Sequence, residues 1–166
     1  HDSSTKRRQQ TMAIAPNTTF VSGAILTAAQ QNAFGFSTVA MTKTTTMSQS
    51  LITTATDLTG ATVTWTALAN RNYKITYQTY ATSTVANAPG TVTLNNGATI
   101  LQYATTNLIG SASGATINGL YVGTFSAGSV TLKLVGSLGA GGTGTVFFQS
   151  VATLPTFILV EDIGPA

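Results

Sequence analysis

The chain has 166 residues, enough for one domain with its own core, and it has no cysteine, which excludes disulfides and thiolate metal sites. Charge is scarce, 7% of residues against about 25% in an ordinary soluble domain. The 43% hydrophobic content excludes a disordered chain, and no window reaches the ~18 unbroken apolar residues of a spanning helix.

The net charge of +3 is unevenly spread. Lys6, Arg7 and Arg8 against Asp2 leave +2 in the first twelve residues. Lys43, Arg71, Lys74 and Lys133 against Asp57, Glu161 and Asp162 leave +1 in the body. The body therefore has no basic patch that would track nucleic acid, and the basic triplet reads as a solvated tail with no signal-peptide core behind it. An outer-membrane barrel would show aromatic girdles and longer alternation. Thr, with 33 copies, supplies most of the polar surface. A surface so poor in charge is a weak defence against self-association, which points to a subunit that works inside an assembly.

In chain order, residues 1–19 are polar, contain the turn-like PNTT, and read as an extended arm. SGAILTAAQQNAFG reads as a short helix. Thr27 is its N-cap, AAQQNAF fills two turns and Gly35 stops it. Too short to stand alone in water, it must lean on something through Ile25, Leu26 and Phe34. From Phe36 onward the period is two. Val63, Trp65 and Ala67 alternate with Thr62, Thr64 and Thr66. Tyr73, Ile75, Tyr77 and Thr79 alternate with Lys74, Thr76, Gln78 and Tyr80. TVTLNNGATILQYA reads as a hairpin turning at Asn95-Asn96-Gly97. Val130, Leu132 and Leu134 share one face of SVTLKLVG, and GTVFFQSVAT and PTFILVEDI complete the series. SASGATING, SAGS and GSLGAGGTG read as loops between strands of five to eight residues. The expectation is an all-β, antiparallel β-sandwich or jelly roll over residues 36–166, preceded by an extended arm and one short helix over residues 1–35.

Chemistry is poorly provisioned. The one His is His1, so a Ser or Thr nucleophile lacks its usual base, and Cys is absent. Glu161 and Asp162 are adjacent. On a strand they point to opposite faces and cannot converge on one substrate, so they read as structural partners for Arg71, Lys74 or groups of another subunit. No catalytic residue, metal or cofactor is expected, though an oxygen-only Ca²⁺ site drawing on Asp57, Glu161, Asp162 or loop carbonyls stays open. GAGGTG at 139–144 lacks the Lys-Ser/Thr ending of a phosphate loop and reads as a β-hairpin loop. Trp65 reads as core. Among the tyrosines, which could stack on sugars or fill an interface, Tyr80 reads as the exposed contact, and Arg71 suits an interface as well.

The segment TFVSGAILTAAQQNAF, with Gly23, Leu26, Thr27, Ala28, Ala29 and Asn32 in a G-x-x-L-T-A-A-x-x-N pattern, resembles a motif at the head of many tailed-bacteriophage virion proteins. DLTGATVTWTALANRNYKITY, SAGSVTLKLVGSLGAGGTGTVFFQ and FILVEDIGP resemble small phage jelly-roll modules of the same kind. The resemblance covers residues 20–166 with gaps, and no long repetitive shaft accompanies it, which favours a compact knob over an elongated fibre. It implies a non-enzymatic virion protein, assembled in the bacterial cytoplasm and forming a homotrimer. Residues 1–35, through Gly23, Ile25, Leu26, Thr27, Asn32 and Phe34, would anchor it to other virion proteins of the tail or capsid. Arg71, Tyr80, Glu161 and Asp162 are the interface candidates. The leading expectation is a tail-associated or minor tail knob aiding host attachment. A capsid decoration or head-fibre protein of the same fold is one alternative. A carbohydrate-binding lectin module contacting a host surface glycan is another. No specific nucleic acid and no membrane insertion are expected.

Overall fold

The computed structural model describes residues 37–51, 54–83, 88–108 and 114–166. The expected arm and helix, with all six anchoring residues, lie outside the described residues. Within them every regular element is a strand: β1 (Ser37–Thr44), β2 (Ser48–Leu51), β3 (Thr56–Ala67), β4 (Arg71–Ser83), β5 (Ala88–Asn96), β6 (Thr99–Leu108), β7 (Gly114–Thr124), β8 (Gly128–Leu138), β9 (Val146–Gln149) and β10 (Thr156–Pro165).

All pairings are antiparallel. The first sheet runs β1-β10-β4, with β7 along the other side of β4. β4 is long enough that its last residues, beyond the reach of β10, pair with β9, which carries β2. The second sheet is β3-β8-β5-β6. Two four-stranded layers, β1-β10-β4-β7 over β3-β8-β5-β6, are the arrangement of a jelly roll. The edge strands of one sheet lie against those of the other, β1 beside β3 and β6 beside β7.

The alternation in the sequence is what builds this core. A β-strand sends successive side chains to opposite faces, so one face of each apolar-alternating strand can be dry. Val63, Trp65 and Ala67 of β3, Tyr73, Ile75, Tyr77 and Thr79 of β4, and Val130, Leu132 and Leu134 of β8 all turn inward, together with Ile158 and Val160 of β10. The two buried hydroxyls of Thr79 and Thr156 satisfy each other at 2.8 Å, as buried polar groups must.

Four expectations change. Seven of the ten strands are longer than five to eight residues, with β4 reaching 13, while β2 and β9 have only four each. The β5–β6 hairpin exists, but Asn95 and Asn96 remain in β5 and pair with Ile100 and Thr99. Gly97, at φ 58°, opens the turn, and the extra residue is taken up as an irregularity between Leu94 and Asn95. GATING, read as loop, is the first half of β7. Its glycines face tyrosine rings on β4: a Cβ at Gly119 would collide with Tyr77, and one at Gly114 with Tyr80. They mark close approach across a sheet. GAGGTG is not a hairpin loop either, because it leads from β8 in the second sheet to β9 in the first.

Candidate interaction surface

β10 separates the two neighbouring carboxylates as its pleat requires. Asp162 faces inward, 6% exposed. Its Oδ1 and Oδ2 accept from Arg71 Nε at 3.0 and 2.9 Å, and Oδ1 also accepts from Arg71 Nη2 at 2.7 Å and from the Gly164 amide at 3.0 Å. Gly164, at φ 113°, lies in the irregularity between Asp162 and Pro165 that brings its amide back to the carboxylate. The Asp162 hydrogen bonds hold the Arg71 guanidinium above its ordinary pKa; burial works the other way, and the Asp162 charge adds to the rise.

This pair closes one end of the sandwich. Beside it Trp65, Tyr73 and Phe125 pack edge to face or tilted, with ring centroids 5.3–5.9 Å apart, in the range favoured by aromatic quadrupoles. The Tyr73 hydroxyl accepts the Leu68 amide at 2.8 Å. Asn72 Nδ2 donates to the Pro165 carbonyl at 2.9 Å, and the Ala166 amide donates to the Asn70 carbonyl at 2.9 Å. The cluster ties the end of the chain to the β3–β4 turn.

Glu161 faces outward and pairs with Lys74, directly opposite on β4, at 2.8 Å. The third carboxylate of the described residues, Asp57, is held by Lys133 at 2.8 Å. Each described carboxylate thus belongs to its own ion pair, and no group of three His, Cys, Asp or Glu suited to a metal ion occurs among the described residues. No helix among them is long and apolar enough to cross a membrane.

The outer face of the first sheet is the notable surface. Register aligns Met41, Leu159, Thr76 and Leu120 in one row across β1, β10, β4 and β7. The next row is Thr38, Glu161, Lys74 and Val122, and the row on the other side is Lys43, Phe157, Gln78 and Asn118. Met41, Leu120 and Val122 are 55%, 52% and 51% exposed, with Leu159 and Phe157 half-buried between them. The result is an apolar band crossing four strands, flanked by a self-neutralised Lys74–Glu161 pair. Single exposed apolar residues need no explanation, but a contiguous group does.

Of the four interface candidates, the structure puts Glu161 and Tyr80 on this outer face and Arg71 and Asp162 at the inner rim. Tyr80 is half-buried over Gly114 of β7, and the exposed tyrosine is instead Tyr103 of β6, at 65%. Sequence reading missed Met41, Leu120 and Val122. The signal was the unbroken apolar run of β10, whose outward residues Phe157 and Leu159 belong to this band.

No protein-family model matches the chain, and no curated protein matches it in sequence. Solved structures match it in fold. Eiger TNF from S. frugiperda superposes with a TM-score of 0.50 at 11% identity, over 80% of this chain and 95% of that one. Murine APRIL at pH 5.0 gives a TM-score of 0.40 at 13% identity, over 68% and 99%. The C-terminal CBM6 of LamC, a marine laminarinase from Zobellia galactanivorans, gives 0.28 at 14%, over 69% and 98%. At these identities the first likeness shows the fold alone, an antiparallel β-sandwich of jelly-roll type, and the other two carry no argument. The fold is compatible with a non-enzymatic binding or structural module.

Proposed function

We propose that the chain is a non-enzymatic structural protein of a tailed-bacteriophage virion, a tail-associated jelly-roll knob that works as a homotrimer. The observation that carries self-association is the apolar band of Met41, Leu159, Leu120 and Val122 on the first sheet. Its occupant is a second copy of the chain. Lys74 and Glu161 beside the band neutralise each other and leave Lys43 as the one uncompensated charge among the described residues of this face, so like-charge repulsion between copies is limited, and each edge strand already lies against a strand of the other sheet. The face, rather than an edge, is what remains to be covered. The virion assignment is supported by the G-x-x-L-T-A-A-x-x-N segment and the jelly-roll segments of the sequence, and the enclosing of all described carboxylates in ion pairs suits a structural role.

Light scattering on the full chain tests the assembly. The wild type is expected at trimer mass at micromolar concentration, and Leu120→Lys at monomer mass with its fold retained. A monomeric wild type would overturn self-association, and an undiminished mass in the double variant Met41→Lys/Leu120→Lys would overturn the face. Antibody labelling of virions under the electron microscope tests the location: label at the tail is expected, and particles without label would end the virion reading.

A further inference from the structure

The outer face of the second sheet carries different chemistry. Thr105, Thr91 and Ser137 stand opposite one another on β6, β5 and β8, three hydroxyls in one row. They line a groove of about 480 Å³ that also includes Tyr103, Pro89 and Gly139, within the size range of small-ligand sites. Thr91 and Thr105 bond to each other at 3.2 Å, which leaves each hydroxyl further donor or acceptor capacity. Tyr103 lies two residues from Thr105 on the same face of β6, with its ring the most exposed of the large apolar side chains described.

The opposite wall is fixed. The Gly139 amide donates to the Pro89 carbonyl at 2.7 Å. A Cβ at Gly139 would come to 2.9 Å from both Pro89 Cβ and Thr91 Oγ1, so the loop after β8 stands as close to the sheet as a backbone can. None of the residues lining the groove is charged, and Lys133 and Asp57 neutralise each other elsewhere on this sheet.

We infer that this groove binds a neutral glycan built of hexose units. A pyranose offers an apolar C–H face to the Tyr103 ring and hydroxyls to Thr91, Thr105 and Ser137. A purely apolar ligand would bury the Ser137 hydroxyl without a partner and leave the remaining capacity of the Thr91–Thr105 pair unused, at a cost. A charged ligand would lose hydration with no counter-charge to compensate it. An extended peptide would need an open strand edge for its backbone, whereas this row lies on the face of the sheet. The inference stands on this groove alone and does not depend on the virion reading.

The test is an array of neutral and acidic glycans read with the fluorescently labelled full chain, followed by titration of the best neutral hit. Binding to a neutral hexose-containing glycan is expected. Tyr103→Ala should weaken it about tenfold or more, as loss of an anchoring aromatic does, while Tyr103→Phe retains most of it because the ring face is kept. Both variants should keep the wild-type mass and thermal midpoint, since Tyr103 is exposed and lies on the other sheet from the apolar band. Three results would each overturn the inference: no neutral glycan bound, neutral binding unchanged in Tyr103→Ala, or binding to acidic glycans only. Acidic signals that vanish in high salt would belong to the basic run Lys6-Arg7-Arg8.

Discussion

Glu161 and Asp162 are consecutive, equally charged and each paired with a cation, yet their alanine variants should differ severalfold in cost. Asp162→Ala removes four hydrogen-bond contacts from a carboxylate that is 6% exposed. It leaves the Arg71 guanidinium, whose side chain is 15% exposed, and the Gly164 amide without their acceptor. Breaking a buried pair from one side costs about 3–5 kcal/mol, because the surviving charge stays desolvated. Arg71 stands at the end of the sandwich, where some water can reach it, so the low end, about 3 kcal/mol, is expected. Glu161→Ala breaks a pair whose side chains are 31% and 40% exposed. Such a pair is worth about 0.5 kcal/mol.

Urea unfolding followed by fluorescence of Trp65, the one tryptophan and a neighbour of this site, measures both costs. Protomer concentration must be matched, because association shifts apparent stability. The thermal midpoint of Asp162→Ala should fall by roughly 6–12 °C, and that of Glu161→Ala by about 2 °C. High salt should erase the second loss and leave the first. In the double variant Arg71→Met/Asp162→Leu much of the loss should return, because an apolar pair carries no stranded charge. Equal costs for the two alanine variants, or a loss under ~1 kcal/mol for Asp162→Ala, would refute the assignment of one carboxylate to the interior and the other to the surface.

Two further outcomes follow from Tyr77. Its ring is fully buried and its hydroxyl has no partner among the described residues, so Tyr77→Phe should leave stability at pH 7 unchanged or raise it by up to about 1 kcal/mol. Burial pushes its pKa up to about 12 from 10.0; its share of stability is complete below pH 10 and is lost as pH rises through 12. The wild type should therefore lose about 1.4 kcal/mol per pH unit over that window relative to Tyr77→Phe, read as diverging urea midpoints from pH 10 to 12; parallel midpoints would contradict it. Gly119→Ala drives a methyl into the same ring and should cost about 1–3 kcal/mol, with a thermal midpoint equal to wild type as the contrary result.

Most of the core was legible because the period of two in β3, β4 and β8 reports directly which side chains are dry. Val63, Trp65, Tyr73, Ile75, Leu132 and Leu134 all follow it. What escaped was set by partners distant in sequence. The glycines of β7 look like loop residues until the tyrosines of β4 are brought opposite them. Tyr103 was hard to place because the irregularity beside Asn95 shifts the phase of β6 against β5. Tyr80 reads as exposed from its face alone, but the missing side chain of Gly114 lets its ring lie down against β7. The apolar band could not be found in any one strand, since register assembles it from one or two residues of each.

The low charge of the chain acquires a location from these two faces. Three of the four cations among the described residues are committed to carboxylates, and Lys43 stands on the first sheet's outer face beside Phe157. With so few charges left to solvate the surface, solubility rests on hydroxyls, and these are not evenly spread. Thr64 and Thr131 pair at 2.9 Å on the second sheet, which also carries the Thr91, Thr105 and Ser137 row. The first sheet exposes Met41, Leu120 and Val122, whereas the large apolar side chains exposed on the second are Tyr103 and Ile100 of β6. A hydroxyl-covered face can remain in water, whereas an apolar band gains by about 25 cal/mol for each Å² it hides. The asymmetry therefore gives the first sheet more to gain from being covered than the second.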